Sequence, residues 1–118
     1  MIKVSVLYPN AADCRFDFDY YCKSHMPMVR DRLGVACQGI AVDKGTAGGA
    51  PGTRPAHVAS AHFFFESVDA FQAAFNPHAK EILADLPNYT NVQPVIQISQ
   101  VLINATRAQT GELHLHLA

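Results

Sequence analysis

The chain has 118 residues, of which 49% are hydrophobic, and nine basic against ten acidic side chains give it a formal net charge of −1. This balance predicts one globular domain with its own core, and the absence of a basic run argues against nucleic acid as a partner. No stretch approaches the roughly 18 apolar residues of a membrane helix, and MIKVSVLYPN at the start is unlike a signal peptide, so we expect a soluble cytoplasmic protein without membrane attachment.

Alternation of side chains predicts four strands, at residues 2–8, 35–43, 57–66 and 92–104. The first strand carries Ile2, Val4, Val6 and Tyr8 on one face. The third carries Val58, Ser60, His62 and Phe64 on one face and Ala59, Ala61, Phe63 and Phe65 on the other. Between the second and third strands, KGTAGGAPGTRP (44–55) has the composition of a loop.

A helix is predicted after the first strand, with Asp17 as its N-cap and Phe16 packing against Tyr21. Its apolar stripe consists of Phe18, Tyr21, Cys22, His25, Val29 and Leu33. His25 lies near the middle of this stripe. Pro27 cannot donate to the carbonyl of Lys23 and disfavours helical angles at Met26, so we expect a kink or a restart there, and Gly34 ends the helix.

Ser67 is predicted to cap a second helical region, and Asn76-Pro77 resembles a second cap followed by a first-turn proline. The element order is therefore βαββαβ. Two right-handed crossovers give an α+β, ferredoxin-like antiparallel sheet with both helices on one face.

Apolar residues occur on both faces of the predicted strands, which predicts that a second subunit covers the face without helices and that the protein is a homodimer. The division we expect is a domain at residues 1–106 and a C-terminal tail at 107–118. In this tail, GELHLHLA alternates leucine with His114 and His116, which suits either an added edge strand or a loose surface segment.

Three stretches together resemble the EthD-like family of the dimeric α+β barrel superfamily. They are MIKVSVLYPN, the pattern F-D-x-x-Y-Y-x-x-x-H-x-P from Phe16 to Pro27, and NYTNVQPVIQIS near the end. The resemblance covers residues 1 to about 103 and implies homodimers whose two sheets face each other. Members are often named EthD family reductases, after a protein of an ether-degradation gene cluster. Superfamily relatives include cofactor-independent monooxygenases, lactone isomerases, polyketide cyclases and haem proteins.

The resemblance implies that His25 is the polar centre of a pocket, with Asp17, Tyr20 and Tyr21 as companions in the motif. Imidazole exchanges protons near neutral pH, so His25 is the candidate general acid or base, although a histidine bonded to a backbone carbonyl in the core is the plain alternative. Tyr21 is a candidate donor to an oxyanion or a core aromatic, and Asp17 is a candidate catalytic carboxylate or simply the cap.

Tyr20, His62 and Phe64 are the candidate substrate contacts, and His78 is a further candidate histidine. No cofactor is evident. The glycine-rich stretch is not G-x-G-x-x-G and precedes a strand, so we expect no dinucleotide there, and no metal-ligand spacing occurs. The three cysteines form no C-x-x-C pair and agree with a reducing compartment.

Two functional classes stay open. The first is a small enzyme using acid–base catalysis on a hydrophobic carbonyl-bearing or phenolic compound, or assisting its oxidation or reduction in catabolism or secondary metabolism. The second is a non-catalytic dimeric barrel that binds an aromatic metabolite or haem.

Overall fold

The structure, a computed structural model, describes residues 1–107 and 111–115. Its strands are β1 (Ile2–Pro9), β2 (Gly39–Lys44), β3 (His57–Phe65) and β4 (Val95–Gln100). The helical segments are α1 (Phe18–Tyr20), a π-helical turn (Tyr21–His25), α2 (Met26–Leu33), α3 (Val68–Phe75) and α4 (Ala79–Ala84). Short 3₁₀ turns occupy Gly34–Ala36, Asn76–His78 and Leu86–Asn88. None of the described helices combines the length and apolar character needed to cross a membrane.

The four strands form one antiparallel sheet in the order β2-β3-β1-β4. With the chain order βαββαβ, this arrangement is the ferredoxin-like α+β fold predicted from the sequence. β1 pairs on both sides, with β3 from Ile2↔Phe65 to Tyr8↔Ala59 and with β4 from Ile2↔Gln100 to Leu7↔Val95. The first strand is therefore central and fixes the register of its two neighbours.

One face of the sheet carries the core and is covered by the helices. Val4 and Phe63 from the strands line the same cavity as Tyr21 and Ile82 from the helical layer, so the helical segments pack on a single face. The buried hydrophobic residues are Ile2, Val4, Tyr8, Tyr21, Met26, Val29, Leu33, Ala59, Ala61, Phe63, Phe65, Ile82 and Tyr89. Strand alternation predicts this division for β1 and β3 because neighbouring side chains point to opposite faces.

Two strands are shorter than predicted. β2 begins only at Gly39 because Gly34, with φ of 66°, ends the helix and leads into a 3₁₀ turn. β4 begins at Val95 because Pro94 has no N–H for a ladder bond. It ends near the start of its partner β1, where the N–H of Val101 donates to the carbonyl of Met1 over 3.0 Å.

Helical segments follow one another from Phe18 to Leu33, and α2 begins at Met26 with Pro27 in its first turn, which agrees with the restart expected there. The loss of helical angles expected at Met26 was wrong. Met26 keeps helical angles, with φ of −66° and ψ of −39°. Just before the proline, the helix widens into the π-helical turn, in which the N–H of Met26 donates to the carbonyl of Tyr21. Such turns insert one residue into a helix, and here the insertion lies directly before a residue that lacks an N–H.

The inserted residue changes which side chains face the core. Tyr21, His25, Val29 and Leu33 are buried as the predicted stripe requires, but Cys22 is exposed. Met26 is buried although it lay outside the predicted stripe. A turn that is one residue longer places i and i+5 on one face, which accounts for Tyr21 and Met26 both pointing inward.

Two of the three predicted helix caps are confirmed. The carboxylate of Asp17 accepts from the N–H of Tyr20 over 3.0 Å, and the hydroxyl of Ser67 accepts from the N–H of Ala70 over 3.0 Å. Asn76 was wrongly predicted as a cap, because it continues in helical angles from α3 into the 3₁₀ turn that contains Pro77.

The opposite face of the sheet, which we call the open face, mixes polar and apolar side chains. Its members include Leu7, Val58, Phe64 and Val95 together with Ser5, His62 and Asp43. The hydroxyl of Ser5 lies 2.9 Å from Nδ1 of His62, and Nε2 of His62 lies 3.4 Å from Oδ2 of Asp43. The open face is thus more polar at its centre than the strand pattern suggested.

The C-terminal tail is described at residues 107 and 111–115. Residues 111–115 contain no strand, so of the two alternatives for the tail the edge strand is not formed within that stretch. His116 and Leu117, which belong to the same alternating pattern, lie outside the described residues.

Phe65→Ala tests the assignment of the core. Phe65 is fully buried and its ring packs edge-to-face on Phe71, with centroids 5.2 Å apart. Removing the ring leaves a cavity, so we expect the free energy of unfolding to fall by about 3–5 kcal/mol in urea denaturation. Val35→Ala is the control, because the Val35 side chain is fully exposed. Equal losses in the two variants would contradict this core.

Candidate functional site

A cavity of about 70 Å³ lies between the sheet and the helices. Its walls are apolar and aromatic, and its polar side chains are His25, Tyr8, Tyr21 and Tyr89. Leu83 on α4 and Ile96 on β4 also line the cavity and are 51% and 49% exposed. The cavity therefore opens between α4 and β4, with the imidazole among its buried groups. Concave apolar sites with a few polar groups are the usual form of small-molecule sites.

His25 ends the π-helical turn, and its side chain is only 5% exposed. Its ring stacks on Tyr21, with centroids 5.2 Å apart and planes 17° apart, and contacts the ring of Tyr89 with centroids 4.6 Å apart. Nδ1 lies 2.8 Å from Oδ2 of Asp85. The histidine is thus held by two aromatic rings and a carboxylate, and it has no backbone carbonyl as the partner of Nδ1.

Asp85 directly follows α4 and lies behind the histidine. Its Oδ1 accepts from the hydroxyl of Tyr20 over 2.6 Å and from the amide of Asn88 over 2.8 Å. Burial by itself raises the pKa of Asp85, but the hydrogen bonds from Tyr20, Asn88 and His25 outweigh it, so the net pKa is lowered. Asp85 is therefore an ionised acceptor at neutral pH.

Burial lowers the pKa of His25 from its ordinary value, and the hydrogen bond to Asp85 only partly opposes that shift. The imidazole is accordingly neutral at pH 7. An ionised carboxylate can only accept, so Nδ1 carries the ring proton and donates it to Asp85. Nε2 is then the basic nitrogen that remains for a ligand, on a ring that lines the cavity.

Three tyrosine hydroxyls form a second polar group in the cavity. The hydroxyls of Tyr8 and Tyr89 are 2.9 Å apart, and the ring of Tyr21 packs edge-on against that of Tyr8 with centroids 5.9 Å apart. Burial raises the pKa of Tyr8, Tyr21 and Tyr89, so all three phenols stay protonated. These hydroxyls are neutral hydrogen-bond donors and acceptors.

Tyr89 reaches the site because its segment is tied to the chain just before the first helix. The N–H of Asp17 donates to the carbonyl of Tyr89 over 2.8 Å. The hydroxyl of Thr90 donates to the carbonyl of Arg15 over 2.6 Å, and the side chain of Asn91 accepts from the N–H of Arg15 over 2.7 Å. These hydrogen bonds join the segment around Phe16-Asp17 to the NYTN stretch at residues 88–91, and both stretches carry the family resemblance.

Of the predicted catalytic residues, the structure brings His25 and Tyr21 together in the cavity. Asp17 is exposed at the helix cap and is not among the cavity-lining residues, so its observed contact is structural. Tyr20, predicted as a substrate contact, donates to Asp85 instead and lies outside the cavity lining.

The other two predicted substrate contacts, His62 and Phe64, lie on the open face. Their neighbour Phe63 lines the cavity from the same strand, and alternate side chains of a strand point to opposite faces. Within one chain the sheet therefore separates His62 and Phe64 from His25. His78 lies in the 3₁₀ turn before α4 and does not line the cavity.

Asp85, Asn88 and Tyr89 are site residues that the sequence pattern did not single out. Tyr89 belongs to the NYTN stretch that carries the family resemblance, so a signal for it was present. Asp85 had no comparable signal, because a lone acidic residue after an amphipathic helix is usually a surface residue.

Among residues 1–107 and 111–115, no group of three or more histidine, cysteine or acidic side chains is arranged to hold a metal ion. The cysteines Cys14, Cys22 and Cys37 are free thiols. The glycine-rich loop joins β2 to β3, and a strand follows it, as the sequence predicted.

The fold and the site define a class: a small ferredoxin-like α+β domain with a buried histidine–carboxylate pair beside an aromatic cavity. The family model described as EthD domain matches residues 12–93, which is more than half of the chain. The chain therefore belongs to the EthD family.

This chain is similar to proteins of known crystal structure. An EthD-like protein from Ralstonia eutropha JMP134 is 51% identical, with 86% of this chain and 91% of that chain covered and a TM-score of 0.82. An ethyl tert-butyl ether D (EthD) family protein from Bacillus halodurans C-125 is 16% identical, with 85% and 97% covered and a TM-score of 0.59, and this second likeness shows the fold alone. A search of curated proteins finds no significant match.

The His25 pair predicts how stability depends on pH. Because the folded-state pKa of His25 lies below 6.5, the unfolded chain binds more protons as the pH falls through that value. The free energy of unfolding should therefore rise with pH up to about 6.5, the ordinary pKa of the unfolded histidine, and level off above, with a contribution of at most about 1.4 kcal/mol per pH unit from this one group.

Urea denaturation between about pH 5 and pH 7.5 measures this dependence in the parent and in His25→Gln. The lowered pKa of Asp85 lies below this window, so the comparison isolates the imidazole. We expect a smaller slope in the variant. Equal slopes in the two proteins would show that His25 is not buried in its neutral form.

Proposed function

We propose that this EthD-family protein is an enzyme that uses His25 as a general acid or base on a hydrophobic small molecule bearing a carbonyl or phenol group. The observation that carries the proposal is the buried imidazole that lines an apolar cavity, with Nδ1 held by Asp85 and Nε2 left for a ligand. A histidine kept in the core only for packing would not need an ionised carboxylate with three hydrogen-bond donors behind it.

In the proposed step, Nε2 removes a proton from an O–H group or from a carbon next to a carbonyl. The electron pair of the broken C–H bond moves into the carbonyl and gives an enolate, while the imidazole becomes an imidazolium. Asp85 remains a carboxylate and stabilises that cation through the Nδ1 hydrogen bond. In the reverse direction, the imidazolium returns the proton to carbon or oxygen.

The tyrosine hydroxyls supply the matching stabilisation of negative charge. Tyr8, Tyr21 and Tyr89 stay protonated, and an oxyanion in the cavity is a stronger acceptor than a neutral carbonyl. In an apolar cavity such a hydrogen bond counts for more than it does in water, which favours the charged intermediate over the bound substrate.

Replacing His25 by Gln tests this function. Gln keeps hydrogen-bonding capacity but cannot exchange protons near neutral pH, so the fold should survive with a loss of about 1–3 kcal/mol in unfolding free energy. A thermal-shift screen of hydrophobic phenols and carbonyl compounds first identifies a ligand, and its conversion is then followed by mass spectrometry. We expect turnover to be abolished in the variant.

His62→Gln is the matched control, since it changes the histidine on the open face and leaves the cavity intact. Its turnover should stay within about threefold of the parent. If His25→Gln retains activity within a few-fold of the parent, the acid–base role is wrong. Tight binding of the ligand without conversion would favour the second functional class, a barrel that only binds an aromatic metabolite.

We also propose that the chain forms a homodimer through the open face. Leu7, Val58, Phe64 and Val95 would be removed from water by a second copy, and this burial is the driving force for association. Phe64 lies on this face near the end of β3, directly paired with Lys3 and Gly39.

Light scattering at micromolar concentration tests the dimer. The parent should have twice the chain mass of 12.9 kDa, and Phe64→Lys should shift it toward one chain mass because a charge is placed in the proposed interface. Val35→Lys, at a fully exposed position of the 3₁₀ turn, should leave the mass unchanged. A folded parent at one chain mass would contradict the proposed interface.

A further inference from the structure

We propose that the cavity selects ligands that carry one hydrogen-bond-donating acidic hydroxyl, a phenol or an enol, over ligands whose only polar group is an acceptor such as a ketone. This inference deepens the proposed function and rests on it for the identity of the site. It narrows the proposed substrate class from carbonyl-bearing or phenolic compounds to compounds with an acidic hydroxyl.

In the hydrogen bond between His25 and Asp85, the imidazole is the donor. Oδ2 of Asp85 lies 2.8 Å from Nδ1, and Oδ1 of the same carboxylate already accepts from Tyr20 and Asn88. A carboxylate that receives these donors has no proton to give, so Nδ1–H is the donor. In the neutral ring, Nε2 is then a bare acceptor.

A ligand that binds beside His25 must donate a hydrogen bond to Nε2. A ligand that displaces water from Nε2 without donating a hydrogen bond leaves a desolvated lone pair, which weakens binding. A hydroxyl pairs with Nε2, whereas a ketone or an apolar ring does not. We therefore expect about ten-fold to hundred-fold tighter binding of the hydroxyl compound.

The tyrosine hydroxyls can donate a hydrogen bond to the hydroxyl oxygen of the ligand. The hydrogen bond between the hydroxyls of Tyr8 and Tyr89 uses one of their two hydrogens. The remaining hydrogen is available for a ligand oxygen. A phenol or enol that donates to Nε2 and accepts from a tyrosine is satisfied on both sides.

The lack of charged side chains in the cavity lining disfavours ionised ligands. The lining residues include no lysine, arginine, aspartate or glutamate, and the Asp85 carboxylate lies behind His25. A carboxylate ligand would be buried without a cation unless His25 took up a proton, and an ammonium ligand would be buried without an anion of its own. The favoured ligand enters uncharged.

The ligand test uses three probes of similar size: 4-methylphenol, 4-fluorotoluene and 4-methylcyclohexanone. Their dissociation constants for the full chain are measured by NMR titration of the ¹⁵N-histidine-labelled protein at about pH 7.5, where His25 is neutral. We expect 4-methylphenol to bind at least about tenfold tighter than the other two. His25→Phe keeps an aromatic ring and removes Nε2, so the preference should vanish in that variant.

The ¹⁵N shifts of His25 in the free protein test the tautomer without any ligand or turnover. We expect a protonated Nδ1 and a bare Nε2. In Asp85→Asn, the amide can donate to Nδ1, so the other tautomer should gain population and the preference for 4-methylphenol should fall by at least about tenfold. Asp43→Asn, beside His62 on the open face, is the matched control and should leave both readouts of His25 unchanged.

A protonated Nε2 in the free parent protein would overturn the inference. Equal binding of the three probes, or binding of none of them, would do the same. The proposed function fails separately: preferred binding of 4-methylphenol together with no conversion of any phenol or enol would retain the ligand class and remove the catalysis. Conversion of a ketone that cannot enolise, dependent on His25, would retain the catalysis and remove the ligand class.

Discussion

The hydrogen bond between His25 and Asp85 is the constraint on which the arrangement of the site depends. It joins residues 60 positions apart, one in the first helix and one after α4, across 2.8 Å. A buried imidazole without a partner would weaken the fold, and a carboxylate at 16% exposure needs donors of its own, which Tyr20 and Asn88 supply. The two helical regions must therefore dock in one register, and that register also places Tyr89 against the histidine ring.

Features set by neighbouring residues could be predicted from the sequence. The alternation in β1 and β3, the caps at Asp17 and Ser67 and the packing of Phe16 on Tyr21, with ring centroids 5.0 Å apart, follow from contacts within a few positions. The antiparallel ferredoxin-like sheet follows from the order of the elements, because short connections and the βαββαβ sequence leave few topologies. The burial of His25 could be predicted for the same reason, since it depends on helical phase.

The π-helical turn and the role of Asp85 could not be predicted in this way. The turn exchanges Cys22 for Met26 on the inner face, and a regular period of 3.6 residues cannot represent an inserted residue. Asp85 contacts His25 and Tyr20, whose side chains lie 60 or more positions away, and its sequence neighbours do not reveal these contacts. For His62 the strand alternation was read correctly, but alternation alone does not say which face the helices cover.

The sheet separates two histidine–aspartate pairs that differ mainly in their surroundings. On the open face of a single chain, His62 and Asp43 are 3.4 Å apart and the Asp43 side chain is 61% exposed, so water screens the pair there and the geometry is loose. On the helix face, the His25–Asp85 pair is shorter, more buried and completed by two further donors. The same two residue types thus form a weak pair at His62 and Asp43, whereas at His25 and Asp85 they hold the imidazole in a fixed orientation. What distinguishes them is the aromatic cavity, which removes water from one nitrogen of His25 while Asp85 holds the other.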